Sequence, residues 1–452
     1  MAPRAEIVRR DHEKDMSSVK IAIPDLPLML GQIWTDDKSS QLEGTIFFRK
    51  LLSMRNRPIN GVISIGAVPR FVKFLADEEM PKLQLEAACV LNSISSGTSD
   101  YKKVVAESGA LSIFIKLLGS SSEDVCEQAV RALGNVAANS PKYRDVVLNH
   151  NAMLPLLSHF NEHSKLSMQR IATWTLANLC RGKPQPSFEQ IKPAIPVLER
   201  LLQSTDEEVL KDACSALSYL SDESTDIRQA VIDAGVIPHL INILCHPSPS
   251  VLVPALRTIG NIVTSRDDQT QMVLNHQVLH PLLNLLTNNS YKKIVKKSVL
   301  DHLQHHSSWE LKPDTMIDAG IIQSLVLLLQ TADFKVKKEA AVGISNVTAR
   351  GTEEQIRFMV SQGCIEPVCN LLTCPEPSII TVCLEALEKI LIVGEAEKNL
   401  GDILYASIMI DDAKVLEKIE QLQNHDNNDI HQKVVKIIET FGQKTEKATN
   451  QL

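Results

Sequence analysis

The sequence predicts an all-α solenoid, and three observations lead to that fold class. A short motif, in which a turn residue precedes an apolar helix start, begins at positions 66, 109, 151, 193, 235, 277, 320 and 363, at intervals of 42 or 43 residues. A period of about 40–47 residues is typical of stacked helical repeats. Within each period the apolar residues follow helical spacing, as in Val125, Ala129, Ala132, Leu133 and Val136. Aromatic residues make up 4% of the chain, as expected where aliphatic side chains fill stacked layers.

The elements follow in order from local signals. Residues 1–20 alternate in charge without an apolar period, which predicts a disordered N-terminal tail. A repeat domain is predicted over 21–442, and its first part, 26–52, has the pattern of a helical cap or an incomplete repeat. In later repeats, turns rich in Ser and Pro, such as 247–250, mark the start of a further helix. The polar residues 443–452 predict a disordered C-terminal tail.

Composition excludes several classes of function. The 452 residues include 47 Lys+Arg and 54 Asp+Glu, a net charge of −7, which argues against nucleic acid as a partner. No apolar run reaches the roughly 18 residues of a membrane span, so we expect no membrane insertion. The first twenty residues contain no apolar stretch that would direct secretion. Nine cysteines without paired spacing fit reduced thiols, and we therefore expect a protein of the cytoplasm and nucleus.

Two columns of residues recur on one helix of each period. The first column comprises Cys89, Arg131, Trp174, Ser215, Arg257, Asp301, Val342 and Glu385. The second column lies four residues further on and comprises Ser93, Asn135, Asn178, Tyr219, Asn261, His305, Asn346 and Lys389. Residues four apart share a helix face, and in a solenoid each such position becomes a line along one surface.

The asparagines of the second column allow two interpretations. An Asn amide offers both a donor and an acceptor, which suits the backbone of an extended peptide. Alternatively, the asparagines form a ladder that only ties neighbouring repeats together. Acidic residues occur in the same region and favour a ligand rich in Lys and Arg, although each also fits a solvated acidic face; they are Glu127, Asp212, Asp222, Glu339, Glu385 and Glu388.

Other chemistry is weaker in this sequence. His302 and His306 are spaced to share a helix face, but no further metal ligand is evident beside them, and an ordinary polar face is the preferred interpretation. The cysteines at 364, 369, 374 and 383 lack C-x-x-C spacing and are interpreted as buried thiols. No catalytic Ser/His/Asp or Cys/His arrangement stands out from the repeat. We therefore expect no enzyme activity, no cofactor and no metal.

Three stretches carry a specific resemblance. They are Glu127-Gln128-Ala129-Val130-x-Ala132-Leu133-Gly134-Asn135, Thr173-Trp174-Thr175-Leu176-x-Asn178-Leu179-Cys180-Arg181-Gly182-Lys183-Pro184 and Ala216-Leu217-Ser218-Tyr219-Leu220-Ser221-Asp222. With these motifs the chain resembles the importin-α family, the adaptors of nuclear import, over about 21–442. The resemblance implies an armadillo-repeat, right-handed superhelical solenoid of about ten three-helix repeats. It also implies a concave groove that binds basic nuclear localisation signals in extended form.

The resemblance assigns roles to the two columns. In the family, Trp rings of the first column hold the aliphatic stems of Lys or Arg, and Asn side chains of the second brace the ligand backbone. Carried over, the larger signal site would use Cys89/Ser93, Arg131/Asn135, Trp174/Asn178 and Ser215/Tyr219. The smaller site would use Asp301/His305 and Val342/Asn346, with the acids Glu339 and Glu385 and with Thr270 beside them.

The chain departs from the family pattern at three places. Of the six Trp positions in these two sites, Trp174 alone is Trp. In the family's principal lysine pocket, Gly97 is kept, whereas Lys102 stands at the threonine position and Asn139 at the aspartate position. Residues 1–20 hold five basic and four acidic residues, a poor match to the family's strongly basic importin-β-binding segment. A shortened chain, a diverged paralogue and an adaptor recruited in another way all fit this departure.

The predicted function is therefore that of a nuclear import adaptor for cargo proteins with Lys/Arg-rich signals, with altered or weakened affinity. Importin-β is a second partner implied by the resemblance, although residues 1–20 do not support it. The alternative is an armadillo scaffold for protein–protein interaction that has kept the fold and lost signal binding.

Overall fold

The computed structural model describes residues 26–222, 224–263, 267–287, 320–397 and 415–449. Throughout these ranges the regular structure is helical. The chain divides into two compact units, with the division in sequence between Val236 and Ile237. No described helix is long and apolar enough to cross a membrane.

The N-terminal unit consists of short helices that alternate with longer ones. In chain order its helices are α1 (Leu26–Trp34), α2 (Lys38–Ser53), α3 (Ile59–Ser64), α4 (Val68–Leu75), α5 (Pro81–Ser95), α6 (Ser99–Glu107), α7 (Ala110–Leu117), α8 (Glu123–Ala137), α9 (Pro141–Asn149), α10 (Met153–Leu157), α11 (Leu166–Cys180), α12 (Phe188–Ile191), a 3₁₀ turn (Lys192–Ala194), α13 (Ile195–Leu201), α14 (Glu207–Leu220) and α15 (Thr225–Asp233).

The C-terminal unit repeats this pattern. Its helices are α16 (Val236–Ile243), which spans the division, α17 (Pro249–Val263), α18 (Asp267–Asn275), α19 (Leu279–Thr287), α20 (Ile321–Thr331), α21 (Phe334–Arg350), α22 (Glu353–Ser361), α23 (Ile365–Asn370), a 3₁₀ turn (Leu371–Thr373), α24 (Pro377–Glu397) and α25 (Asn428–Thr449). Residues 415–420 are also helical. Helix α25 continues into the segment 443–452 that the sequence assigns to a tail.

Each full repeat has two short helices followed by a long third helix, as in α6, α7 and α8. Nine long third helices lie within the described ranges. The period predicts one more between α17 and α21, in residues 288–319, which lie outside the described ranges. Local chemistry fixes several helix starts. Asp206 caps α14 by accepting the Val209 N–H at 3.1 Å, and Thr352 forms a capping box with Gln355 on α22.

The recurring sequence motif coincides with one backbone conformation. Seven of its eight first residues have positive φ, between 60° and 82°; they are Gly66, Gly109, Asn151, Gly235, Gln277, Gly320 and Gly363. The eighth is Pro193, whose ring fixes φ near −65° and which lies in the 3₁₀ turn Lys192–Ala194. A left-handed residue ends one short helix and starts the next, which explains why Gly predominates there.

Consecutive long helices pack against each other. In the N-terminal unit α2, α5, α8, α11 and α14 form one such series, and in the C-terminal unit α21, α24 and α25 form another. Small and aliphatic residues such as Ala87, Ala129 and Ala172 are fully buried between them. Because the repeats are in register, equivalent positions of successive long helices lie in rows, as the sequence predicted.

Candidate functional site

Within each unit, the described members of the two columns form a partly accessible strip on the long helices. In the first column Cys89, Arg131, Trp174 and Ser215 are half-buried. By contrast, Thr173 and Thr175, which flank Trp174 in the sequence, are at most 1% exposed. We call this strip, with the second column four residues further on, the groove face. Asp301 and His305 lie outside the described residues, as do His302 and His306, which were considered above as metal ligands.

The asparagines at the centre of the larger site tie repeats together. The side-chain N–H groups of Asn135 lie 3.0 Å from Oδ1 of Asn92 and 3.2 Å from Oγ of Ser95, both on the preceding long helix. Asn92 in turn donates to Oε1 of Gln128 at 2.7 Å. Asn178 is 7% exposed, and its Nδ2 lies 3.5 Å from the carbonyl oxygen of Gly134. These amides therefore make the inter-repeat ladder that was the alternative interpretation.

The ladder does not use the whole amide of Asn135. Both of its N–H groups are engaged, and no described donor contacts its Oδ1. A carbonyl oxygen accepts hydrogen bonds, so this atom suits a backbone N–H of a peptide. Tying repeats and bracing a ligand are thus compatible at Asn135.

Trp174 lies directly on the backbone of the preceding helix. A Cβ added to Gly134 would lie 2.4 Å from Cζ3 of Trp174 and 2.5 Å from Oγ1 of Thr175. Gly134 therefore makes room for the indole ring. Gly134 belongs to one of the motifs that carry the resemblance, but the motif by itself indicates no role for it. The available signal was a glycine inside a helix, which usually costs about 0.5–1 kcal/mol relative to Ala and so calls for a packing reason.

Arg131 is half-buried and forms an ion pair within its own helix. Its guanidinium lies 3.8 Å from Oε2 of Glu127, one turn earlier, and Oε1 of Glu127 accepts a 2.8 Å hydrogen bond from Ser167 of the next repeat. Burial lowers the pKa of Arg131, while the charge of Glu127 acts in the opposite direction. Burial also raises the pKa of Cys89 to about 12, so this thiol stays protonated. The acid Glu127 is thus partly neutralised.

Gly97 is tightly packed. A Cβ at this position would lie 2.6 Å from Cδ2 of Tyr101 and 3.1 Å from Cδ1 of Ile59. Lys102, half-buried on α6, has a lowered pKa because of burial and because of the nearby charge of Arg181. The position to which the resemblance assigns a threonine is therefore occupied by one cation, Lys102, with a second, Arg181, nearby.

The other predicted residues of the N-terminal unit are partly engaged. Ser93 and Tyr219 are half-buried; the carbonyl of Ser93 accepts from Oγ of Ser96 at 2.8 Å, and that of Tyr219 accepts from Nε2 of Gln185 at 2.8 Å. Asp212 is 5% exposed, with Oδ1 lying 3.5 Å from Nζ of Lys211. Asp212 is thus a buried acid with a cation beside it, and is not an open surface acid.

In the C-terminal unit two of the predicted acids, Glu385 and Glu388, are paired with lysines. Nζ of Lys433 lies 2.6 Å from Oε1 of Glu385, and Nζ of Lys436 lies 2.7 Å from Oε1 of Glu388. Both lysines belong to α25 and both acids to α24. A basic ligand at this place would compete with two lysines of the chain itself.

The remaining predicted residues lie on α17, α18 and α21. Asn261, Asn346 and Glu339 are half-buried. Thr270 is 2% exposed, and its Oγ1 donates to the carbonyl of Val263 at 2.9 Å. Thr270 therefore ties the first turn of α18 to the last residue of α17. Val342, at a Trp position of the family, is half-buried on α21.

No group of metal-ligating side chains comes together among the described residues. The nine cysteines are free thiols, and burial raises the pKa of Cys364 and of Cys383 to about 12. These protonated thiols are poor nucleophiles and poor metal ligands.

The chain matches two families of repeats. The armadillo/beta-catenin-like repeat matches residues 98–138, 140–181, 184–222, 224–264, 312–349 and 352–392. The atypical Arm repeat matches residues 406–452.

Several plant proteins are similar over nearly the whole chain. Importin subunit alpha-3 of Arabidopsis thaliana is 63% identical over 434 residues, which cover 95% of this chain and 82% of that protein. Importin subunit alpha-1b of Oryza sativa subsp. japonica is 57% identical over 428 residues, covering 94% and 80%. Importin subunit alpha-8 of Arabidopsis thaliana is 43% identical, covering 90% and 91%.

A solved structure has the same fold. The crystal structure of an engineered protein superposes with a TM-score of 0.80 at 26% identity, over 92% of this chain and 98% of that one.

Proposed function

Because this chain belongs to the importin-α family of armadillo-repeat proteins, we propose that it is a nuclear import adaptor that binds the basic localisation signals of cargo on its groove face. The observation that carries the proposal is the pair Trp174 and Asn178 on α11, together with Asn135 on α8, the long helix of the preceding repeat. An indole ring next to amide groups can receive the stem of a Lys or Arg and the backbone of an extended peptide.

We also propose that the larger site binds ordinary basic signals more weakly than the site of a relative with all its Trp residues. Of the four first-column positions assigned to the larger site, Trp174 alone is Trp. Each Trp–cation contact contributes about 0.5–2 kcal/mol. Lys102 adds repulsion, since two like charges about 4 Å apart cost about 1–4 kcal/mol between water and a surface dielectric. The result is a site with few anchors and an opposing charge.

A peptide titration tests this function. A fluorescein-labelled peptide with a run of lysines should bind the full chain, and Trp174→Ala should weaken it by about 0.5–2 kcal/mol. Lys102→Thr should strengthen binding, because it removes a like charge. Ser112→Ala, an exposed change on α7 away from the columns, is the control and should have no effect. Tight binding by the unaltered chain that Lys102→Thr abolishes would refute the proposal of a weakened site.

The second candidate function is a scaffold that no longer binds signals. The ion pairs of Glu385 with Lys433 and of Glu388 with Lys436 favour it, since they occupy acids that a basic ligand needs. A pull-down separates the two functions. If neither basic peptides nor importin-β are retained by the unaltered chain or by Trp174→Ala, the scaffold is the better explanation.

Importin-β is a further proposed partner by family membership, and the pull-down with purified importin-β tests it directly. Residues 1–20, where the sequence gives a net charge of +1, lie outside the described residues. We place the action of the adaptor in the cytoplasm and the nucleus, and assign it no catalytic role.

A further inference from the structure

Three consecutive turns from a long third helix to the next short helix follow long helices that pack against one another in chain order. They connect α5 to α6, α8 to α9, and α11 to α12, and they carry Gly97, Asn139 and Arg181. Two contacts fix the order of the short helices that follow. Tyr143 Oη on α9 lies 3.5 Å from Oε1 of Glu107 on α6, and Gln190 Nε2 on α12 lies 2.9 Å from Oδ1 of Asn149 on α9.

Arg181 is fixed on its turn by a buried arginine. Arg144, with a relative exposure of 0%, donates to the carbonyl oxygens of Arg181 at 2.8 Å, Gly182 at 3.1 Å and Pro184 at 2.8 Å. A Cβ on Gly182 would lie 3.2 Å from Cγ of Pro141, so the turn lies against the start of α9. The backbone that carries the Arg181 guanidinium is therefore held towards the preceding repeats.

Lys102 follows the first of these three turns, and Arg181 lies on the third. Lys102 lies on the first turns of α6 and is half-buried, whereas Arg181 is exposed. The charge of Arg181, together with burial, lowers the pKa of Lys102. The turn with Asn139 lies between the other two in chain order: one turn precedes Lys102, and the other contains Arg181. We call these three residues, Lys102, Asn139 and Arg181, which lie on or just after the three turns, the cation turn.

Nearby carboxylates are used elsewhere. Asp145 accepts from Nε and Nη2 of Arg144 at 2.8 and 2.7 Å, and Asp222 lies 3.4 Å from Nζ of Lys183. Glu107 is the partner of Tyr143. Among the described residues, no carboxylate forms an ion pair with Lys102 or Arg181. Two neighbouring cations without a counter-charge favour an anion between them.

We propose that the cation turn binds an anionic side chain, a carboxylate or a phosphoryl group, of the peptide that occupies the groove face. This proposal rests on the proposed function, since it supposes that a peptide lies on α5, α8 and α11. Arg181 supplies a planar fork of donors for two oxygens, Lys102 supplies a point charge, and the Asn139 amide supplies a neutral donor. A cargo signal suited to this chain is therefore mixed, with basic residues at Trp174 and an acidic or phosphorylated residue at the cation turn.

The experiment is a substitution scan of a labelled, lysine-rich peptide. Each lysine in turn is replaced by Ala, Glu or phosphoserine, and affinity for the full chain is measured by fluorescence anisotropy at low and raised ionic strength. At one register, Glu or phosphoserine should bind at least about tenfold more tightly than Lys, a difference of about 1.4 kcal/mol. A preference for phosphoserine alone identifies a phosphoryl site, and an equal preference for Glu identifies a general anion site.

Variants of the chain assign the preference to the cation turn. Lys102→Thr and Arg181→Gln should each reduce it by about tenfold, and the double variant should restore the preference for Lys. Lys103→Thr, which removes an exposed lysine from the same helix, should leave it unchanged. Far-UV circular dichroism verifies that each variant is folded.

The outcomes separate this proposal from the proposed function. If peptides bind but Lys is preferred at every register, or if the anion preference persists in the double variant, the cation turn is not an anion site and the adaptor function stands. If no peptide of the scan binds the unaltered chain, both proposals fail.

Discussion

The two units differ in whether the charges near the groove face have a partner of opposite sign within the chain. In the N-terminal unit, Lys102 and Arg181 are neighbouring cations without a described carboxylate partner. In the C-terminal unit, the acids Glu385 and Glu388 are matched by Lys433 and Lys436 of α25. One region therefore lacks a counter-charge that a ligand can bring, and the other already contains cations that a ligand must displace. Repeats of the same architecture can thus present opposite electrostatic problems to a ligand.

The largest expected effect concerns the arginine that fixes the N-terminal cation turn. Arg144→Met should lower the apparent free energy of unfolding by about 3 kcal/mol, because it leaves three backbone carbonyls and Asp145 without their donor. Denaturant unfolding followed by circular dichroism measures this. Arg200→Met is the control, since the exposed Arg200 donates to one carbonyl, that of Phe160, at 2.7 Å. Equal losses in both variants would show that Arg144 does not fix this turn.

A matched pair of glycine substitutions compares the two units directly. Gly134→Ala should destabilise the chain by about 1–3 kcal/mol, because the new Cβ would lie 2.4 Å from the Trp174 ring, and peptide affinity should fall as the ring moves. Gly343→Ala on α21 should be neutral or stabilising by up to about 1 kcal/mol, since its Cβ would meet the flexible end of Leu325 at 3.3 Å. Thermal unfolding and titration measure both. A stabilising Gly134→Ala would contradict the packing argument.

Removing the lysines of α25 tests the competition in the C-terminal unit. The double variant Lys433→Gln, Lys436→Gln should bind a lysine-rich peptide about three- to tenfold more tightly, because Glu385 and Glu388 lose their internal partners. Stability should change by about 1 kcal/mol or less, as is usual for surface ion pairs. Lys418→Gln is the control, since Lys418 donates to the amide oxygen of Asn370 at 2.9 Å. Unchanged affinity in the double variant would show that these acids do not contact the ligand.

The smallest effect is a pH dependence at Lys102. The folded-state pKa of Lys102 lies below the ordinary value of 10.5, so the charged form is disfavoured in the folded chain. The resulting loss of folding stability is complete at any pH below the folded-state pKa. As pH rises towards 10.5, the unfolded chain binds more protons, and stability should rise relative to Lys102→Met. The difference in melting temperature, in favour of the variant near neutral pH, should therefore narrow. Lys103→Met is the matched control, and a constant difference for Lys102→Met would contradict the shift.

The repeat and its starting point could be predicted from sequence. The eight motif positions are set by local conformation, and seven of them have positive φ in the structure. The predicted helical rows are present as well, because the period of apolar residues decides which helix face is buried. The tie between Asn135 and Asn92 could be proposed only as an alternative, since an Asn amide serves a ligand or a neighbouring helix equally well. The role of Gly134 depends on a ring that lies 40 positions later in the chain.

The sequence by itself therefore determined the repeat, its phase, the rows of groove residues and the family, because each depends on short-range patterns of residue type. The tertiary structure alone decided which charges are satisfied. The decisive pairs are Glu385 with Lys433, 48 residues apart, and Arg144 with the carbonyl of Arg181, 37 residues apart. Such partners are about one repeat apart, and small differences in side-chain position decide whether a carboxylate meets a lysine or remains open. Period and pattern cannot express those positions, and so only the packing shows which charges are satisfied.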